Sequence, residues 1–277
     1  MSTDYVQRFL FENLDIRGRL VCLTDAWSKM TAGRGYPAPI SALLGRTAAL
    51  AAMLGTNQKD ARRLSLQVSG SGPVTLLVAD CTSALRIRGM AQYVDGDAAT
   101  ERGLLGDGRL ALTLEEEATG QAYQSLVPLE GESLAEIFEH YLAQSEQMPS
   151  FLRLHADGSA ACGLLLEKLP KADERDADGW NRVMQLGATL DLAETAATRP
   201  YDLLTRMFPE ELMRVFPLSP VTYHCPYDEE KVKSVLRGLG REEVDSILAE
   251  KGEVVVKNEM CNHEYRFDRA AVEAMFS

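Results

Sequence analysis

Apolar and polar residues alternate with a period of two through much of the first half of the chain, and the spacing changes to helical further on. Residues 5 to 12 and 20 to 23 are short apolar runs with the aromatic content of strands, joined through a bend at Asp15–Arg19. After Tyr36-Pro37-Ala38-Pro39 the stretch Ile40 to Leu54 is rich in Ala and Leu and apolar on every side, which predicts a buried core helix. From Leu64 the alternation returns: Leu64, Leu66 and Val68 are separated by Ser65, Gln67 and Ser69, and Val74 to Ala79 follows a Gly70-Ser71-Gly72-Pro73 turn. That turn is not a phosphate loop, because no Gly-Lys-Ser/Thr follows and Pro73 lacks the amide a cradle would use. Further strands are predicted at Ala84–Tyr93, Arg109–Leu114 and Gln121–Leu129. Ser133 with Glu136 forms a capping-box pair that opens a helix to about Gln147. Phe151–Leu154 and Ala161–Glu167 complete this region as a strand pair.

At Leu169-Pro170 the composition turns charged, and Lys171 to Gly179 has the character of a linker. Trp180–Leu192 and Tyr201–Phe216 then carry helical stripes of Leu, Met and Phe, broken by Pro200, Pro209, Pro217 and Pro220. Such stripes fit an arm packed on the preceding domain; a movable clamp exposing apolar surface is the functional alternative. The division expected is therefore 1–169, 170–219 and 220–277.

Composition narrows the function. Against 29 basic residues stand 41 acidic ones, a net charge of −12, which repels nucleic-acid phosphates and anionic membrane surfaces. The polar start of the chain lacks the apolar core of a secretory signal, and no run is read as long enough for a transmembrane helix, so a cytoplasmic location is expected. Five scattered cysteines do not form a secreted disulfide framework. Cys22, Cys81 and Cys162 lie in apolar or strand-like settings and are read as buried, inert thiols.

The remaining two cysteines frame a C-terminal module. Tyr223-His224-Cys225-Pro226-Tyr227 is followed by a helix-like stretch, a Gly-bounded β run and Asn258-Glu259-Met260-Cys261-Asn262-His263. A zinc module would carry a thiol at each of four such corners. Here only Cys225 and Cys261 are thiols.

A series of segments in order resembles the redox-regulated heat-shock holdase family, also called the 33 kDa chaperonin family. They are Arg8-Phe9-Leu10-Phe11-Glu12 with Arg17-Gly18, Tyr36-Pro37-Ala38-Pro39, Leu66-Gln67 with Gly70-Ser71-Gly72-Pro73, and Arg88-Gly89-Met90-Ala91. Leu129 to Ala135, Tyr141, Ser145 to Pro149, Glu242 to Glu250 and Tyr265-Arg266-Phe267 extend the match over nearly the whole chain. The resemblance implies an α+β fold with a substrate-binding domain, a helical linker and a small C-terminal zinc-bound redox switch, in a protein that holds unfolded or oxidatively damaged clients and catalyses nothing. It also suggests a homodimer on activation. The family's switch uses C-x-C and C-x-x-C, with four thiolates on one zinc and oxidation joining the neighbours within each motif. Carried onto this chain, those positions are Cys225, Tyr227, Asn258 and Cys261.

Two of the four ligands are therefore substituted, and no cofactor is expected. His263 and His224 are the nearby groups that would have to complete a zinc site; the alternative is that they are solvated surface histidines. Tyr227 and Met260 are large enough to fill vacated space, and Asn258 suits a hydrogen-bonded turn, so a module that folds without metal is predicted. Neither local disulfide can form. If the fold brings Cys225 and Cys261 together, their bridge would stabilise the module on oxidation rather than melt it. The expected activity is thus an ATP-independent holdase without zinc-release control, constitutive or triggered by heat. A thiol oxidoreductase or redox sensor using Cys225 and Cys261 is the alternative, weakened by the lack of any C-x-x-C. A zinc-ribbon nucleic-acid binder is opposed by both the ligand set and the charge.

Overall fold

The computed structural model describes residues 4–56, 61–96, 98–116 and 119–276, the side chains at 61 and 62 excepted. Residues 1–3, part of the stretch read for targeting, lie outside the described residues. The chain divides into two compact units, Met1–His224 and Cys225–Ser277.

The first unit runs β1 (Tyr5–Phe11), β2 (Ile16–Leu23), α1 (Asp25–Thr31), α2 (Ala38–Gly55), β3 (Ala61–Gly70), β4 (Val74–Thr82), β5 (Arg86–Tyr93) and α3 (Glu101–Leu105). It continues β6 (Gly108–Glu116), β7 (Ala122–Pro128), α4 (Leu134–Ser145), β8 (Ser150–Ala156), β9 (Ala161–Lys168), α5 (Ala172–Arg175) and α6 (Gly179–Ala188). A 3-10 turn (Leu192–Ala196), α7 (Pro200–Met207), β10 (Met213–Val215), β11 (Ser219–Pro220) and β12 (Thr222–Tyr223) close it. Among the described residues two six-stranded sheets form. One has the order β10-β1-β2-β9-β8, with β11 also on β1, and the other β12-β5-β4-β3-β6-β7. Helices and largely antiparallel strands in one chain make this an α+β fold, as the resemblance implies.

Helix α2 lies between the sheets, packed on β3, β4 and β5 on one side and on β2, β8 and β9 on the other. Its small residues permit this: a Cβ at Gly45 would stand 2.6 Å from the Ala156 side chain. Pro39 sits in the first turn, where the missing amide has no helical partner to lose. The expectation that no run reaches transmembrane length is corrected here, because the 18 residues of α2 are long and apolar enough by length and composition. Its apolarity is accounted for by burial between two sheets: Leu43, Leu44 and Ala48 through Met53 are at most 1 % exposed.

The other face of the first sheet carries a second core. Phe9, Phe11, Leu20 and Leu164 pack there with Val183, Leu192, Leu203, Leu204 and Phe208 from the helical segment. That segment, expected as a linker over 170–219, is thus built into the first unit. The expected helix to Phe216 stops at Met207, just before Pro209, and Met213–Val215 instead pairs antiparallel with β1. β12 runs parallel to β5, which ties the chain to the first unit past the 219/220 boundary read from sequence.

Two further elements were not expected. α1 starts under the buried carboxylate of Asp4, which accepts from the amides of Thr24, Asp25 (3.1 Å) and Ala26 (2.7 Å). The short α3 packs its C-terminal carbonyls against the Gly70–Gly72 turn, where a Cβ at Gly72 would lie 2.5 Å from the Leu104 carbonyl oxygen. The glycines there serve close packing. Ser133 caps α4 by accepting from the Glu136 amide at 3.3 Å, while the Glu136 carboxylate accepts from Glu132, one residue earlier than a standard box.

Candidate functional site

The second unit holds the cysteine module, and local rules account for most of its frame. α8 (Glu229–Leu239) begins where the Asp228 carboxylate accepts from the Lys231 amide at 3.0 Å. α9 (Arg241–Lys251) ends at Gly252, whose φ of 78° is the left-handed stop that glycine supplies. The chain then forms a hairpin of β13 (Val254–Asn258) and β14 (His263–Phe267) and closes with α10 (Arg269–Met275). Leu236, Val244, Leu248, Val254, Tyr265, Phe267, Val272 and Met275 make its core.

Cys225 enters just before α8, and Cys261 lies in the β13–β14 turn. Their Cα atoms are 5.6 Å apart and the two are joined as a disulfide. That separation is inside the window of about 4.4–6.8 Å that a disulfide spans. Asn258 serves the same turn, its Oδ1 accepting from the Cys261 amide three residues on at 3.3 Å. The Tyr227 ring stacks on Tyr265, with centroids 4.5 Å apart and planes 24° apart, and meets His263 edge-on at 6.0 Å. Tyr227 nevertheless stays 60 % exposed, so it covers a buried ring and fills no interior void. Met260 is half-buried.

The histidines separate. His263 is half-buried on β14, opposite Asn258. His224 is exposed, belongs to the first unit, and donates its backbone amide to the Ile87 carbonyl at 3.0 Å. Cys22, Cys81 and Cys162 are free and buried, as their apolar surroundings suggest.

The part that Tyr265 plays in this site escaped the sequence reading. Tyr265, 1 % exposed, supports the Tyr227 ring and accepts the Asp228 amide on its hydroxyl at 3.0 Å, linking the hairpin to the start of α8. The alternation of Glu264 and Arg266 with Tyr265 and Phe267 marks both aromatics as inward-facing; the hydroxyl contact to Asp228 spans too many residues to be read locally.

Structural zinc requires four donors. Here both sulfurs are committed to each other, the Asn258 oxygen is turned to a backbone amide, and Tyr227 is stacked on a ring. Among the described residues no group of three or more His, Cys, Asp or Glu side chains is arranged to hold a metal ion. The residues present do not fit the zinc that the resemblance implies.

Comparison with known proteins agrees with the fold and the order of segments. The model of the Hsp33 protein family matches residues 4–268. A 33 kDa chaperonin of Methylobacillus flagellatus is 38% identical, covering 99% of this chain and 95% of its own length. One from Shewanella loihica is 36% identical over 100% of this chain and 96% of its own. Among solved structures, a 33 kDa chaperonin from Thermotoga maritima superposes with a TM-score of 0.82 at 22% identity, covering 98% of this chain and 97% of the other. With a family model and full-length relatives in agreement, the chain belongs to the Hsp33 family.

Proposed function

We propose that this chain is an ATP-independent holdase of the cytoplasm, which binds unfolded or oxidatively damaged proteins and keeps them from aggregating without a zinc-release switch. The observation that carries the zinc-free part is the fate of the four corner positions: a disulfide, a ring stack and a side-chain-to-backbone hydrogen bond in a turn stand where four thiolates would be needed. Holding clients is supported by family membership and by apolar side chains left in solvent on the first unit. Tyr123 and Leu126 are more than half exposed on β7, the outer strand of the second sheet, and Tyr201 and Leu212 are as open around the helical segment. No catalytic step is assigned. A homodimer on activation remains part of the proposal on family grounds alone.

The redox response then runs in the reverse sense. In a reducing cytoplasm disulfides are uncommon, so the Cys225–Cys261 bridge is the oxidised state of the module. Closing it firms the second unit, where oxidation in a four-thiol switch loosens one. Control of client binding therefore lies elsewhere, in heat or in constitutive exposure.

The test is metal content and suppression of aggregation, measured on one preparation before and after oxidant. The expected result is no bound zinc and suppression of a heat-unfolding client already in reductant. Stoichiometric zinc with activity only after oxidation would overturn the proposal. The second reading, a thiol oxidoreductase, rests on the same bridge; turnover of a disulfide substrate that Cys225→Ser or Cys261→Ser abolishes would establish it instead.

A further inference from the structure

Two thiols of the first unit lie together under the helical segment. Cys22 on β2 and Cys162 on β9 are directly opposed in the antiparallel ladder, their Sγ atoms are 3.4 Å apart, and both are fully buried. Opposed residues in such a pair have Cα atoms about 4.5–5.5 Å apart, which suits a disulfide. The sulfurs would have to close from 3.4 Å to about 2.0 Å, a change within reach of side-chain rotation.

The cover over them is equally specific. Both thiols belong to the core that Val183, Leu192, Leu203, Leu204 and Phe208 complete, and the turn Leu192–Ala196 packs on β2 and β9 themselves. Tyr5, the partner of Cys22 on β1, donates its hydroxyl to the Thr195 carbonyl at 3.4 Å and so ties that turn to the sheet. Cys81, the other free cysteine, sits in the core between the sheets, away from this cover.

We propose that Cys22 and Cys162 form a second, latent redox site, shielded by residues 179–208 and converted by peroxide to a cross-strand disulfide when that segment lifts. With the cover closed, the hydrogen bond between the two sulfurs and their burial hold the Cys22 thiol far above its ordinary range, so the nucleophilic thiolate is not available. Lifting the segment admits water and lets the thiol ionise. The thiolate then attacks one peroxide oxygen, the O–O bond breaks, and the sulfur becomes a sulfenic acid while the departing oxygen leaves as water. The second sulfur displaces the sulfenic oxygen, forming the S–S bond and a second water. The two thiols lose two electrons, the peroxide gains them, and both thiol protons end in the waters. The site is independent of the C-terminal pair and records opening of the segment as a covalent bond.

The experiment uses the full chain carrying Cys225→Ser and Cys261→Ser, so that Cys22, Cys81 and Cys162 are its thiols. It is exposed to hydrogen peroxide across a temperature series, alkylated and mapped by peptide mass spectrometry. The expected product is a 22–162 linked peptide pair lighter by two hydrogens, slow to form at low temperature. It should form several-fold faster in Tyr5→Phe, which loses one oxygen, and at least tenfold faster in Leu204→Ala, with Cys81 unmodified throughout. The proposal is overturned if the linkage forms equally fast in all three proteins. It is overturned too if Cys81 reacts in step with the pair, which would mean that the thiols are reached by global unfolding. Separate oxidation of Cys22 and Cys162 without a link would also refute it.

Discussion

Reducing the Cys225–Cys261 bridge should cost the second unit a large share of its stability. The bridged residues are 36 apart in sequence, and closing a loop of that length removes enough unfolded-state entropy to be worth roughly 3–4 kcal/mol at 25 °C in the chain-entropy model. A unit spanning 225–277 would have about 3–8 kcal/mol in total at ~0.05–0.15 kcal/mol per residue. Without the bridge the unit is left to its own small core, eight buried side chains among the described residues. Hydrogen exchange of the full chain, with and without a phosphine reductant, reads this directly. Buried amides on α9, such as those of Val244 and Leu248, should exchange about two to three orders of magnitude faster once the bridge is open, at about 1.4 kcal/mol per decade. The variant with both cysteines changed to Ser should match the reduced protein in either buffer, which separates this bridge from the buried thiols. Exchange that is unchanged or slower in reductant would refute the reasoning. Full protection restored to the reduced protein by zinc would do so as well, by showing a metal site.

Changing Tyr227→Cys and Asn258→Cys together restores four thiols at the corner positions and should confer zinc binding near one ion per chain, read by a chromogenic chelator; the unaltered chain should release none. Glu167, 3 % exposed, has Arg17 Nε at 2.8 Å and the buried Arg19 Nη1 at 2.7 Å, so Glu167→Leu strands a buried guanidinium. The expected cost is about 3–5 kcal/mol, or a melting midpoint lower by roughly 6–20 °C for a unit of this size. The Ser159 hydroxyl, with the amides of Ser159 and Ala160, holds the Asp157 carboxyl well below the usual carboxylate range. Below about pH 4 the unfolded chain therefore takes up a proton there before the folded one does, so this stabilisation is complete above that pH and is lost as pH falls further. Asp157→Asn should flatten the acid limb of a plot of midpoint against pH, and an unchanged limb would count against the turn's role.

What was legible in the sequence was what depends on near neighbours. The alternation of Leu64, Leu66 and Val68, the all-apolar α2 and the Ser133 cap rest on spacings of two to four residues, and each reappears in the structure. α1 was not legible because its first amides are capped by Asp4, some twenty residues back. Nor were β10 to β12, since edge pairing with β1 and β5 outweighs the helical stripes of 201–216, and Pro209 ends the helix. At the candidate site the substituted corners could be read directly, and the bridge followed if the fold brought the thiols together. The Tyr227–Tyr265 stack and the facing of Cys22 and Cys162 are matters of register, which no local pattern encodes.

The strand order of the first sheet also sets when the protein can finish folding. β2 finds its inner neighbour only when residues 161–168 have been made, since Ile16 pairs with Lys168, and the far side of β1 stays open until Val215 arrives to meet Phe9. At about 5–20 residues per second the interval between synthesis of residues 9 and 215 is roughly 10–40 s. Through it the β1–β2 hairpin carries Phe9, Phe11 and Leu20 without the cover they have in the finished sheet. A newly made copy thus spends its first moments displaying open strand edges and apolar side chains, the same chemistry that the function proposed above has it recognise in others.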